Sequence, residues 1–226
     1  MHNIDIPRWA VDRVIKRRGA EHVFEDFDPA RTALIVIDMQ NAFMLPAVAF
    51  VVIKTAPEIV PNINRLATAV RSAGGTVVWI RMTYTDQASV DWSACYRLTT
   101  PEINRRRSVA LAKGAKGHEI WDTMEVHPDD QMIEKTRFSA LIQGSSDLDQ
   151  FLRERDIDTL IITGCLTDVC CESTARDAMM MNYNAIMVTD ANAADTDDDH
   201  NNALTAFYTT FGDIMPTDMI VEPLGQ

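Results

Sequence analysis

The chain has 226 residues, of which 46% are hydrophobic and 24% charged, and its formal net charge is −12. This is an ordinary globular composition, long enough for one full core or at most two small ones. The acidic balance argues against nucleic acid or an anionic membrane surface as a partner.

Four cysteines, three of them within residues 165–171, do not resemble a disulfide framework. There is no CxxC pair and no Cys/His spacing of the zinc type. The first residues lack an apolar stretch of signal-peptide length, and no apolar run suits a membrane span. A reducing cytoplasm is the expected compartment.

In chain order, residues 1–30 read as an N-terminal arm. Trp9, Val11, Val14 and Ile15 line one face of a short helix that Arg17, Arg18 and Gly19 would end. Thr32–Ile37 (TALIVI) is a strand buried on both faces, ending at Asp38. A carboxylate at the carboxyl end of a parallel strand stands where open α/β sheets place their sites, although an Asp also caps turns for purely structural reasons. Residues 57–74 read as a helix with Ile59, Ile63, Leu66, Ala67 and Val70 inward, and residues 76–80 as the next strand. Residues 82–118 carry few periodic signals and read as a long connection, the kind that serves as a lid or binding segment. Arg105, Arg106 and Arg107 within it read as a solvated charge run.

Met132 and Ile133 suggest a short strand with Lys135 just past its end. Residues 145–156 suggest a helix with Leu148, Phe151 and Leu152 inward. The stretch TLIITGCLTDVCCESTARD, residues 159–177, reads as a buried strand, a loop holding Cys165, and a helix over residues 169–182. Thr167 and Asp168 are good N-cap types. Cys170 would fall in the first helical turn, where free N–H groups and the helix dipole favour a thiolate. Cys171 points about 100° away and suits the core. This stretch alone leaves Cys170 open as nucleophile or core residue. Residues 185–189 form another strand ending at Asp190. The acidic run 195–200 reads as a helix N-terminus rather than a metal site, and residues 214–221 as a weak last strand.

Strands alternating with helices predict one three-layer α/β/α domain over residues 1–226, with a mostly parallel, six-stranded Rossmann-like sheet. If one half winds outward from the strand ending at Asp38 and the other from the strand ending at Gly164, these two strands lie side by side at the switch point. Asp38, Lys135 and Cys170 then share one crevice as base, charge stabiliser and nucleophile. Neither a GxGxxG nor a P-loop pattern occurs, so no nucleotide cofactor is expected.

The segments ALIVIDMQNAF around Asp38, EKTRFSA around Lys135, TGCLTDVCCESTARDA around Cys170, VTDANA, and the acidic turn with His200 occur in a specific order and spacing. From Thr32 to Val221 the chain resembles the isochorismatase-like cysteine hydrolases, nearest the ureidoacrylate and ureide amidohydrolase branch. The resemblance implies Asp38, Lys135 and Cys170 as the catalytic triad. It also implies a cis peptide between Cys165 and Leu166, and an oxyanion hole made by the N–H groups of Leu166 and Cys170. Metal-bearing nicotinamidases of the family carry Asp-x-His after the second strand; here the sequence is IRMTYTDQ, so no metal and no cofactor are expected. The nucleophilic cysteine favours hydrolysis of a small amide or ureide C–N bond. The resemblance further implies a homo-oligomer, dimer or tetramer. Gln40, Asn41, Phe43, Arg81, Tyr84, Trp92 and Arg137 are the candidate substrate-binding residues. The rival readings are a hydrolase of another small substrate, a non-catalytic binding protein that keeps the fold, and a thiol redox protein using Cys170 and Cys171. Adjacent cysteines bridge only with strain, which disfavours the last.

Overall fold

Six runs rich in branched residues become the strands of one parallel sheet in the computed structural model, which describes residues 1–225. They are β1 (Thr32–Ile37), β2 (Thr76–Met82), β3 (Gln131–Lys135), β4 (Thr159–Cys165), β5 (Asn184–Ala193) and β6 (Asp213–Met215). Their order is β3-β2-β1-β4-β5-β6, and all neighbours are parallel. The chain winds outward from β1, returns to the middle, and winds the other way from β4. β1 and β4 pair from Thr32↔Thr159 to Ile37↔Gly164, which is the switch point the sequence predicts.

The helices are α1 (Arg8–Arg18), α2 (Asn41–Met44), α3 (Val60–Ser72), α4 (Ala88–Asp91), α5 (Ser93–Arg97), α6 (Pro101–Ala110), α7 (Leu148–Arg153), α8 (Glu172–Met180), α9 (Asp197–Thr210) and α10 (Thr217–Leu224). On one face of the sheet Ile63, Leu66 and Val70 of α3 and Ile220 of α10 pack with Leu34, Val36 and Trp79. On the other face Val14 of α1, Leu148 and Leu152 of α7, Ala175 of α8 and Phe207 of α9 pack with Ile35, Ile37, Ile80 and Ile162. Cover on both faces explains why β1 and β4 are apolar at nearly every position. Each fully buried Leu or Ile contributes roughly 1.5–3 kcal/mol.

Several elements depart from the sequence reading. In α1 the buried residues are Ala10 and Val14, whereas Trp9 and Ile15 are exposed. Arg17 and Arg18 do more than end that helix: they donate to the carbonyls of Thr209, Tyr208 and Gly212, fastening the arm to the end of α9. Residues 82–118 are not structureless, because they hold α4, α5 and α6. Pro101 at the first helical position and Thr100 Oγ1, accepting from Ile103 N–H, start α6. The helix predicted over 145–156 shrinks to α7, with Phe151 only half-buried.

β5 runs past Asp190 to Ala193 through a register shift opposite Ile162–Gly164. There Asn192 Nδ2 donates to the Ile162 and Val188 carbonyls, supplying the bonds that the shifted ladder misses. The last strand stops at Met215. Pro216 removes a ladder donor and leads into α10, so most of residues 214–221 are not strand.

Candidate active site

Three loops at the carboxyl ends of β1, β3 and β4 meet in one place. Asp38 follows β1 with φ 54, an unusual conformation for a residue other than glycine. Its N–H donates to Ile80 O, and its carbonyl accepts from Gln40 N–H and from the Cys165 thiol. Gly164, opposite Ile37, has φ 115, and a Cβ there would stand 2.0 Å from Ile37 O. Only glycine lets β4 pass this close to the Asp38 loop. The Cys165–Leu166 peptide is cis. Cys165 belongs to β4 rather than to a loop, and the next residues, Thr167–Cys171, form a π-helical turn before α8. Neither Thr167 nor Asp168 caps this turn with its side chain, as the sequence reading had it: the Thr167 hydroxyl meets His200, and Asp168 is exposed.

Lys135, the last residue of β3, is the hub. Its Nζ lies 2.8 Å from Asp38 Oδ2 and 3.4 Å from Cys170 Sγ, and it donates to Arg137 O at 3.0 Å. Asp38 and Lys135 are fully buried and Cys170 is 5% exposed. Among the described residues neither carboxylate oxygen of Asp38 accepts a well-aligned hydrogen bond. The contact with Lys135 is an ion pair at 2.8 Å, and the Cys170 thiol lies close enough to the same carboxylate to interact with it. Burial holds the Asp38 carboxyl above its ordinary range despite the neighbouring Lys135, which makes it a stronger proton acceptor. Burial works against the Lys135 charge, but the adjoining Asp38 carboxylate outweighs it and Lys135 stays protonated.

The sulfur does not behave as the helix dipole suggests. Burial pushes the Cys170 thiol up to about 12, with Lys135 pulling it down and Asp38 pushing it up. A resting thiolate would place two anions against one ammonium in a dry pocket. A neutral thiol keeps the cluster balanced. Cys171 is fully buried in the core, and all four cysteines are free.

The candidate substrate-binding residues separate into groups. Gln40 is fully buried and committed inside the fold: Nε2 donates to Met82 O and His118 O, and Oε1 accepts from Met82 N–H. It steadies Met82, whose Sδ lies 3.5 Å from Lys135 Nζ. Asn41 Nδ2 donates to Lys116 O, which ties α2 to the 116–118 turn. Arg81 shares its sheet face with Trp79 and pairs with Glu134 at 3.0 Å.

Phe43 packs edge-on against Phe50. Tyr84 is half-buried against the same apolar cluster, as is Trp92. Trp92 stacks edge-on with Phe138 and lies under the Arg137 guanidinium. Trp92 and Arg137 line a cavity of about 520 Å³ together with Phe138, Ser139 and Ser173. Its link to the triad is Arg137, whose carbonyl receives Lys135 Nζ.

Sequence reasoning missed other neighbours. Arg107 is no free surface charge: it lies over the rings of Phe50 and Tyr96 and donates to Cys95 Sγ. The aromatics Trp92 and Tyr96 a few residues before Arg105–Arg107 are the local hint. His200, fully buried, joins Thr167 to the Thr189 carbonyl. Among the described residues no group of three His, Cys, Asp or Glu side chains is placed to hold a metal ion, and no helix is long and apolar enough to cross a membrane.

Solved structures of similar fold include cysteine hydrolases and amidases. A cysteine hydrolase from Pseudomonas syringae pv. phaseolicola 1448A is 30% identical with a TM-score of 0.78, over 88% of this chain and 94% of that one. N-carbamoylsarcosine amidase from Thermoplasma acidophilum is 28% identical with a TM-score of 0.66, over 83% and 97%. A pyrazinamidase of Pyrococcus horikoshii in complex with zinc, 21% identical, has a TM-score of 0.69 over 82% and 99% and bears on the fold alone. The isochorismatase domain model matches residues 32–219, a span that takes in Asp38, Lys135 and Cys170 and every strand of the sheet. The chain belongs to the isochorismatase family of hydrolases.

Proposed function

We propose that this protein is a cysteine-dependent amidohydrolase that cleaves the C–N bond of a small amide or ureide through a thioester. The supporting observation is that one buried ammonium, Lys135 Nζ, touches both the Asp38 carboxylate and the Cys170 sulfur. The similarity to an N-carbamoylsarcosine amidase over most of both chains points the same way.

As Sγ attacks the carbonyl carbon, its proton passes to Asp38, so the buried cluster keeps its net charge. Lys135 stabilises first the carboxylate and then the developing sulfur charge. The N–H groups of Leu166 and Cys170 receive the oxyanion, a contribution of about 3–4 kcal/mol per donor. The C–N bond breaks as Asp38 returns the proton to the leaving nitrogen, releasing ammonia or an amine. Water then gives a proton to Asp38 and adds to the thioester. The C–S bond breaks, and the sulfur recovers its proton from Asp38. Trp92, Arg137, Tyr84 and Phe43 are the substrate-facing residues in this reading.

The test measures ammonia release from nicotinamide, carbamoyl amino acids, ureidoacrylate, biuret and triuret. The expected result is turnover of at least one ureide, falling more than ~10³-fold in Cys170→Ala with the fold retained. Turnover that survives Cys170→Ala, or silence of the wild-type chain toward every compound, would reject the proposal.

A further inference from the structure

The π turn that carries Cys170 has no side-chain cap at its start; Val169 N–H and Cys171 N–H donate to Leu166 O, Glu172 N–H donates to the Thr167 and Val169 carbonyls, and Thr174 Oγ1 donates to Cys170 O. At its start, a side-chain anchor reaches it from another element. Thr167 Oγ1 meets His200 Nδ1 at 2.8 Å, and His200 Nε2 meets Thr189 O at 2.9 Å. A carbonyl can only accept, so the network assigns the hydrogen to Nε2, and Nδ1 accepts from the Thr167 hydroxyl.

His2, from the far end of the chain, lies flat on that ring, with centroids 4.3 Å apart and planes 17° apart. His2 Nε2 accepts from Ala194 N–H at 2.9 Å, which leaves Nδ1 to donate to Asp197 Oδ1 at 2.7 Å. Asp5 N–H to Asn201 Oδ1 and Asn201 Nδ2 to Asn3 O hold the rest of the arm against α9. His2 is 8% exposed, and His200 and Thr167 are fully buried.

We propose that His200 is a positioning residue for the nucleophile turn and that His2 of the N-terminal arm is its clamp. By fixing Thr167 Oγ1, His200 keeps residues 167–171 wound so that Cys170 Sγ stays 3.4 Å from Lys135 Nζ. None of the three residues touches the triad, and they act through the turn. The arm thereby sets how well the sulfur is aimed, and a shift of about 1 Å in such a group costs on the order of 10²-fold in rate.

The test compares full-length His2→Ala, Thr167→Val and Thr167→Ser with wild type. Two readouts need no substrate: deuterium uptake by the peptide spanning Leu166–Cys171, and the rate at which iodoacetamide modifies Cys170. In His2→Ala and Thr167→Val both should rise by roughly 5-fold or more as local opening of the turn becomes easier. Thr167→Ser, which keeps the hydroxyl, should return to within about 2-fold of wild type. A third readout rests on the amidohydrolase reading: kcat should fall ~10–100-fold with KM nearly unchanged. Unchanged uptake and modification in His2→Ala and Thr167→Val, whatever happens to their Tm, would overturn the proposal. A wild-type chain that turns over no amide would remove the proposed function, while the first two readouts would still decide the positioning role.

Discussion

At the scale of single residues, Cys170 and Gln40 each differ from what their neighbours in sequence suggest. The first helical turn favours a thiolate, yet burial leaves the Cys170 thiol neutral up to about pH 12. Its alkylation rate should climb about tenfold per pH unit from pH 7 to 10 without levelling, because only the ionised fraction reacts. A plateau below pH 8 in a rate profile followed by mass spectrometry would contradict this. Gln40 is attractive as a substrate ligand because it stands two residues from Asp38, but its amide already serves three buried backbone groups. Gln40→Ala should cost about 3 kcal/mol in urea unfolding, as those groups lose their partners. Turnover should fall as well, since Met82 loses its tether beside Lys135. The position of Asp38 after a buried strand was legible from the pattern, whereas Lys135 and the choice of Cys170 among three thiols rested on the family resemblance. The sequence could not tell which polar neighbours were already occupied, since those partners lie 42 and 78 positions away.

At the scale of elements, the strands were legible where both faces are buried, and least so where the ladder is irregular. β1 and β4 could be read from composition alone. The length of β5 could not, because a polar residue, Asn192, repairs the register shift from within the sheet. Pro216 was the available sign that the last apolar run is mostly helix. Gly164 carries the tightest local constraint, with φ 115 and the Ile37 backbone against its α-carbon. Gly164→Ala should cost more than about 3 kcal/mol. The measurable outcome is a sharply lower Tm or loss of soluble protein, and a wild-type melting curve would show that β1 and β4 separate more easily than this packing implies.

At the scale of the whole molecule, the arm, α9 and the nucleophile turn share one buried polar chain, and its pH response belongs to the fold. Burial, together with His2, lowers the His200 pKa from 6.5 to about 4, against the opposing Thr189 hydrogen bond and Asp197. Below pH 6.5 the unfolded chain takes a proton that the folded chain refuses. The contribution is thus complete above pH 6.5 and is lost as the pH falls toward 4, about 3 kcal/mol in all. Urea midpoints of wild type minus those of His200→Gln should shrink over that interval, and a constant difference would show that His200 does not carry the effect.

The protonated state of the Cys170 sulfur has a bearing on survival as well as on rate. Peroxide consumes ionised sulfur far faster than a neutral thiol. If Cys170 is the nucleophile, a sulfur that surrenders its hydrogen only when a carbonyl is in reach is shielded from such damage between turnovers, and Cys170 should resist peroxide better than an exposed, ionised thiol.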